Sequence, residues 1–286
     1  MKQLLRNFKS ITILVTFFFL VSNCDTSKNK QDNLTDNLLC YSFAQCGAKG
    51  GTRFGMLGDS WTDLLYGVPA IQTLRYHLEN TYGYKITGAT LGGQEMKAVL
   101  SAGLHIQMID QGGSDMKYVL LSLGGNDLQH NPQTYKTDPE AERLRRFAQV
   151  ESDLKAIVFT GNAHKINKYG GQPLTWIIHG YDYPNPLNEN SLSPTSCRSA
   201  LLAAGFADAQ IQQFTSGNLD LYNTFLRNLT YQIPDLRYID LRGTLGGPPY
   251  SAAGNMFDCI HPTSSAFKII TDKYAFQLKA FSGDER

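Results

Sequence analysis

Four short blocks of the 286-residue chain hold side chains and glycines of the types that transfer acyl groups. Ser60 stands in Gly58-Asp59-Ser60-Trp61, a glycine pair in Gly92-Gly93, and Asn126 in Gly124-Gly125-Asn126-Asp127. A carboxylate and an imidazole share the fourth block, Asp258-Cys259-Ile260-His261. A serine hydroxyl is a weak nucleophile until a base takes its proton, and histidine is the side chain that titrates nearest neutrality. His261 is therefore the candidate base for Ser60. Pro262 disfavours helical geometry at His261, so Asp258 to His261 reads as a turn. On such a turn the Asp258 carboxylate can hold the imidazole tautomer and stabilise the imidazolium. A tetrahedral intermediate also needs donors for its oxyanion, which the backbone N–H groups of Ser60 and Gly93 and the side-chain amide of Asn126 can supply. Glycine suits the second position because it lets the backbone approach closely, and Gly92 stays open as the alternative to Gly93. Asp59 reads as a brace for the turn that carries Ser60, and Asp127 as a cap for the helix or loop after Asn126. His179, in His179-Gly180-Tyr181-Asp182-Tyr183, reads either as a pocket-lining residue or as a structural histidine.

These blocks need a scaffold that brings them together, and the pattern around them provides one. From about Arg53 onward, strand-like and helix-like segments alternate, the signature of an α/β fold with a mostly parallel sheet. Strands are expected at Arg53–Leu57, Lys85–Leu91, Lys117–Leu123, Leu174–Ile178 and Leu236–Leu241. Helical periodicity covers Thr62–Tyr82 with a break near Gly67-Val68-Pro69, then Gln94–Gln111, Pro139 to about Thr160, Asp208 to about Tyr231, and Thr263–Phe281. Lys117–Leu123 and Leu174–Ile178 are continuously apolar, as strands covered on both faces must be. Two long irregular stretches remain, Tyr181 to about Ser196 and Arg242–Asp258, and loops of that length in a compact domain are commonly functional. The ligand crevice of an open α/β sheet lies at the carboxyl ends of its strands. Four of the five expected strands run into the blocks named above, the last through its loop.

Singly, each block has a structural reading, since glycines punctuate turns and an Asn-Asp or Asp-x-x-His run can cap a helix. Together, in this order and at strand exits, the set resembles the GDSL, or SGNH, family of serine hydrolases. The resemblance runs from about Gly51 to the end and rests on Ser60 in GDSW, Gly93 or Gly92 in LGGQE, Asn126 in GGND, and Asp258 with His261 in DCIH. Trp61 stands where Leu or Ile is common, a change that hardly touches the chemistry, and the glycine block lacks the usual neighbouring Asn and Ser. The resemblance implies a three-layer α/β/α sandwich of flavodoxin-like type around a mostly parallel five-stranded sheet. It implies a serine esterase acting through an acyl-serine intermediate, with Ser60, His261 and Asp258 as triad and Ser60, Gly93 and Asn126 as oxyanion hole. Lipids, short acyl esters and O-acetylated glycans are all substrates of that class, and acyl transfer is a close variant. A non-catalytic surface lipoprotein of the same fold, acting in binding or adhesion, is the reading from another class. No G-x-S-x-G, HExxH, Walker A or GxGxxG run occurs, and no metal or organic cofactor is implied.

The N-terminus carries an address. Lys2, Arg6 and Lys9 precede an apolar run from Ile11 to Val21, which matches a secretory signal and is too short for a bilayer core that needs about 20 residues. Leu20-Val21-Ser22-Asn23-Cys24 resembles a bacterial lipobox, with Asn23 in place of the usual Gly or Ala. The expected organisation is a signal peptide over 1–23, lipidation at Cys24, a polar tether over 24–50 and a hydrolase domain over 51–286, exported and anchored in the cell envelope. The full chain has 26 basic and 25 acidic residues, but removing the first 23 residues leaves 23 and 25. That balance offers no basic field for nucleic acid. Cys40, Cys46, Cys197 and Cys259 fit no CxxC pattern, and export permits disulfides among them with three connectivities open.

Overall fold

The computed structural model describes residues 52–64, 71–88, 90–193 and 196–286. The signal, Cys24, the tether, Cys40 and Cys46 lie outside the described residues. Five parallel strands form one sheet: β1 (Phe54–Gly58), β2 (Ile86–Thr87), β3 (Tyr118–Ser122), β4 (Thr175–His179) and β5 (Leu236–Ile239), in the order β2-β1-β3-β4-β5. The three central strands are almost wholly buried, which accounts for their unbroken apolar sequences.

Helices cover both faces, and the handedness of crossovers explains how they divide. From β1 the chain moves to β2 through α1 (Leu74–Asn80), then reverses past β1 to β3 through α2 (Met96–Ser101) and α3 (Leu104–Gly112). It continues in that second direction through α4 (Gly125–Gln129) and α5 (Pro139–Tyr169) to β4, then through α6 (Arg198–Ala203) and α7 (Asp208–Leu229) to β5. Right-handed crossovers place helices of opposite travel on opposite faces. Accordingly α2, α3 and α7 pack on α5, or on one another through it, while α8 (Ser264–Ser282) packs against α1. Direction reverses between β1 and β3, so the crevice expected of such a sheet opens beyond their carboxyl ends. Gly58 pairs with Ser122, and Asp59 N–H donates to Ser122 O at 2.9 Å, which sets the two exits side by side.

Several elements differ from their expected bounds. Among the described residues the helix expected over Thr62–Tyr82 is Leu74–Asn80, entered from an extended Thr73. β2 is two residues long with an isolated bridge at Thr90, since Gly88 at φ 107° leaves the extended region. The expected helix over Gln94–Gln111 is two helices, divided at Gly103. α5 runs on to Tyr169: Gly161 does not end it, because the Trp176 indole occupies the space a Cβ would need. Asp138 caps α5 by accepting from Ala141 N–H, with Pro139 in the first turn.

Candidate active site

Ser60 sits in the turn that leaves β1, and His261 in the turn that precedes α8, 201 residues later. Ser60 Oγ lies 2.7 Å from His261 Nε2, and His261 Nδ1 lies 2.7 Å from Asp258 Oδ2. All three side chains are buried or nearly so. Asp258 Oδ1 accepts the backbone N–H groups of Ile260 (2.9 Å) and His261 (2.8 Å), so one carboxylate both closes the turn and faces the imidazole. Burial alone would raise the Asp258 carboxyl. Its hydrogen bond from His261, the charge of that ring, and further bonds from Ser193 and Ile260 N–H hold it below the ordinary range.

The turn that carries Ser60 is braced at three points. Asp59 accepts Trp61 N–H (3.0 Å) and Ser122 Oγ–H (3.1 Å) on Oδ1, and Tyr181 O–H (2.5 Å) on Oδ2. Burial pushes this carboxyl up to about 6 despite those bonds. Trp61 does more than its position suggests. Its indole Nε1–H donates to Ile260 O at 3.1 Å, tying the Ser60 turn to the His261 turn, and its ring meets Tyr181 edge-on at 5.1 Å.

Asn126 lies in the first turn of α4, which Gly124 enters at φ 100°. Its Nδ2 donates one hydrogen to Gln94 O at 3.0 Å, leaving the other available. Gly93, at φ 81°, lines the same cavity as Ser60, Asn126 and His261, whereas Gly92 does not line it. A Cβ built on Gly93 would meet nothing within 4 Å, so the positive φ and not crowding calls for glycine there. Among the described residues, the N–H groups of Ser60 and Gly93 have no protein acceptor. Asp127 does not cap the segment after Asn126. It reaches across to α2 and accepts Met96 N–H, a backbone group that α2 leaves unsatisfied at its N-terminus.

His179 is fully buried, does not line the cavity, and bonds Gly180 O through Nδ1 at 2.6 Å. Burial pushes it down to about 4, so it packs as a neutral ring against Trp61, Tyr181 and Tyr274. Two residues that the sequence marks only as loop positions organise the surroundings. Tyr181 spans Asp59 and Gly125 N–H, and Asp182 gathers the N–H groups of Tyr183, Gly243 and Leu245 to fold the loop after β5. Cys197 and Cys259 form a disulfide.

The cavity measures about 470 Å³ and leads from Ser60 into the space between α6, α7 and the turn at Pro132–Tyr135. Phe214, Leu219 and Tyr222 of α7 line it together with Leu128, Tyr135 and Leu201, and the Tyr135 and Phe214 rings meet edge-on at 5.2 Å. The hydroxyls of Tyr222 and Tyr135 are engaged by Leu123 O and Leu128 O, so their rings present carbon to the cavity.

No family model and no curated protein matches the sequence. Among solved structures, the fold resembles a Streptococcus pneumonia protein provisionally described as a platelet activating factor, with a TM-score of 0.54 at 13% identity over 94% of this chain and 99% of that one. It also resembles the lipase Lip_vut3 from a goat rumen metagenome, with a TM-score of 0.51 at 17% identity over 78% and 96%. Strand order and these likenesses give the chain a three-layer α/β/α fold around a parallel five-stranded sheet, with its crevice at the β1/β3 reversal.

Proposed function

We propose that the protein is a serine hydrolase that cleaves carboxylic esters through an acyl-Ser60 intermediate. The observation that carries this reading is the continuous chain of 2.7 Å contacts from Ser60 through His261 to Asp258. In the reaction, His261 Nε2 takes the Ser60 proton as Oγ attacks the ester carbonyl carbon. The carbonyl oxygen becomes an oxyanion facing the N–H groups of Ser60 and Gly93 and the amide of Asn126. When the intermediate collapses, His261 returns its proton to the departing alcohol oxygen. Water then repeats the sequence, with His261 as base, and frees the acid.

The apolar cavity favours an ester that carries an aliphatic chain over one with only an acetyl group. Each methylene it buries is worth about 0.8 kcal/mol, or roughly fourfold in kcat/KM. The solved structure described as a lipase is in line with that class. The reading also includes export and an anchor at Cys24, supported by the N-terminal pattern and by a disulfide, which oxidising compartments favour.

The test is fluorophosphonate labelling of cell fractions and of purified protein, beside p-nitrophenyl esters of increasing chain length. Wild type labels at Ser60, in the membrane fraction, and prefers longer chains. Ser60→Ala and His261→Ala lose labelling and turnover, and Cys24→Ala moves the labelled band to the soluble fraction. Unlabelled wild type, or Ala variants that hydrolyse as fast as wild type, would refute the hydrolase reading. A Cys24→Ala band that stays with membranes would refute the anchor.

A further inference from the structure

The loop that carries Asp258 is gripped from outside by the segment that follows β4. Four consecutive carbonyls of that loop are bonded by donors from this segment. Asn188 Nδ2 donates to Met256 O (3.2 Å) and Asp258 O (3.1 Å), Asn190 Nδ2 to Phe257 O (2.8 Å), and Asn185 N–H to Cys259 O (2.9 Å). The Cys197–Cys259 disulfide adds a covalent tie. Within this strap, Ser193 reaches the carboxylate itself, with Oγ 2.6 Å from Asp258 Oδ2.

We propose that Ser193 is a positioning residue, which orients the Asp258 carboxylate toward His261 and thereby sets the reactivity of Ser60. A carboxylate has about four lone-pair sites, and Asp258 receives four donors: two backbone N–H groups on Oδ1, and His261 Nδ1–H and Ser193 O–H on Oδ2. Ser193 is the only side-chain donor among them from outside the turn. Asp258 is fully buried, so solvent does not replace a lost donor. Without Ser193, Oδ2 keeps the imidazole alone, the carboxylate loses one of the two bonds that set Oδ2 against His261, and a buried charge is left short of a partner. Ser193 is itself fixed, its N–H donating to Asn190 O at 3.0 Å, and Asn190 is anchored on the loop it serves. Ser193 does not line the cavity, so its effect belongs to the reaction and not to substrate binding.

This inference rests on the hydrolase reading, and its test is arranged to separate the two. In the full-length chain, Ser193→Ala is expected to lower kcat on the order of tenfold, as loss of a hydrogen bond to a buried charge implies, with KM unchanged. Ser193→Thr, which keeps the hydroxyl, is expected to restore kcat. The Nδ1–H proton resonance of His261 should shift in Ser193→Ala and return in Ser193→Thr. A Ser193→Ala variant with kcat within twofold of wild type, or Ser193→Thr as slow as Ser193→Ala, overturns the proposal. If wild type hydrolyses no ester, the hydrolase reading fails by itself, and the resonance still decides: an unmoved Nδ1–H signal in Ser193→Ala overturns the positioning role.

Discussion

Asn126 spends one amide hydrogen on Gln94 O, and that bond fixes the plane in which the second hydrogen points. A donor held in advance costs no reorganisation when charge develops on a carbonyl oxygen. Asn126→Ala is expected to lower kcat by ~10²–10³ with a small change in KM. An unchanged kcat in the ester assay would remove Asn126 from the oxyanion site. The residues with chemistry of their own were legible in the sequence: Ser60, Asn126, Asp258 and His261 stand in short blocks of characteristic type, and the structure gathers them around one turn or one cavity. Tyr181, Ser193 and the indole of Trp61 were not legible in their roles. Each acts on a partner 122, 65 or 199 residues away, and nothing local marks a tyrosine, serine or tryptophan as the one that will arrive there. Gly92 and Gly93 were indistinguishable by type, because backbone φ decides between them and adjacent glycines share every local signal.

At the scale of elements, the buried strands and long helices were readable from apolar runs and helical periodicity, while short elements were not. β2 is only two residues because its flanking glycine turns the chain, and α6 is six residues in a stretch of Ser, Cys and Arg that carries little periodicity. The strap after β4 read as an irregular loop, which it is by backbone over residues 180–193; its order comes from asparagine side chains that grip another loop. The Cys197–Cys259 disulfide closes this arrangement across a separation of 62 residues. Chain entropy assigns such a loop about 4 kcal/mol, the denatured state losing most. The paired variant Cys197→Ala with Cys259→Ala is therefore expected to unfold at lower urea by an amount approaching that figure. It should also turn over ester more slowly, since Cys259 lies between Asp258 and His261. Equal urea midpoints would show that hydrogen bonds alone hold the strap to the loop.

Across the whole molecule, one sheet edge collects the candidate site because β1 and β3 are neighbours at the reversal of strand order, a topology that alternation of elements implied but could not order. Its cost is a set of buried ionisable groups whose effects oppose one another. Burial pushes Asp59, Asp63 and Asp127 up to about 6, and raises Asp182 as well. Burial pushes His105 and His179 down to about 4, and lowers His77. A raised carboxyl binds its proton more tightly in the native state, so its favourable contribution is present at low pH and is lost as pH rises through about 6. A lowered imidazole does the reverse: its contribution is present above the ordinary 6.5 and is lost as pH falls toward 4. Glu142 is held near 2, first by Arg145 and also by Arg146, so its contribution is lost only below its ordinary 4.5. Between about pH 4.5 and 6 the three carboxyls held near 6 outnumber the two imidazoles held near 4 by one, and each excess group is worth ~1.4 kcal/mol per pH unit. The unfolding free energy of wild type is therefore expected to fall modestly as pH rises across that window. Asp63→Asn keeps an acceptor for Thr90 Oγ–H but removes one titrating carboxyl, which should flatten the slope. Urea unfolding at half-unit steps measures both, and parallel curves for the two proteins would show that Asp63 does not titrate in this range.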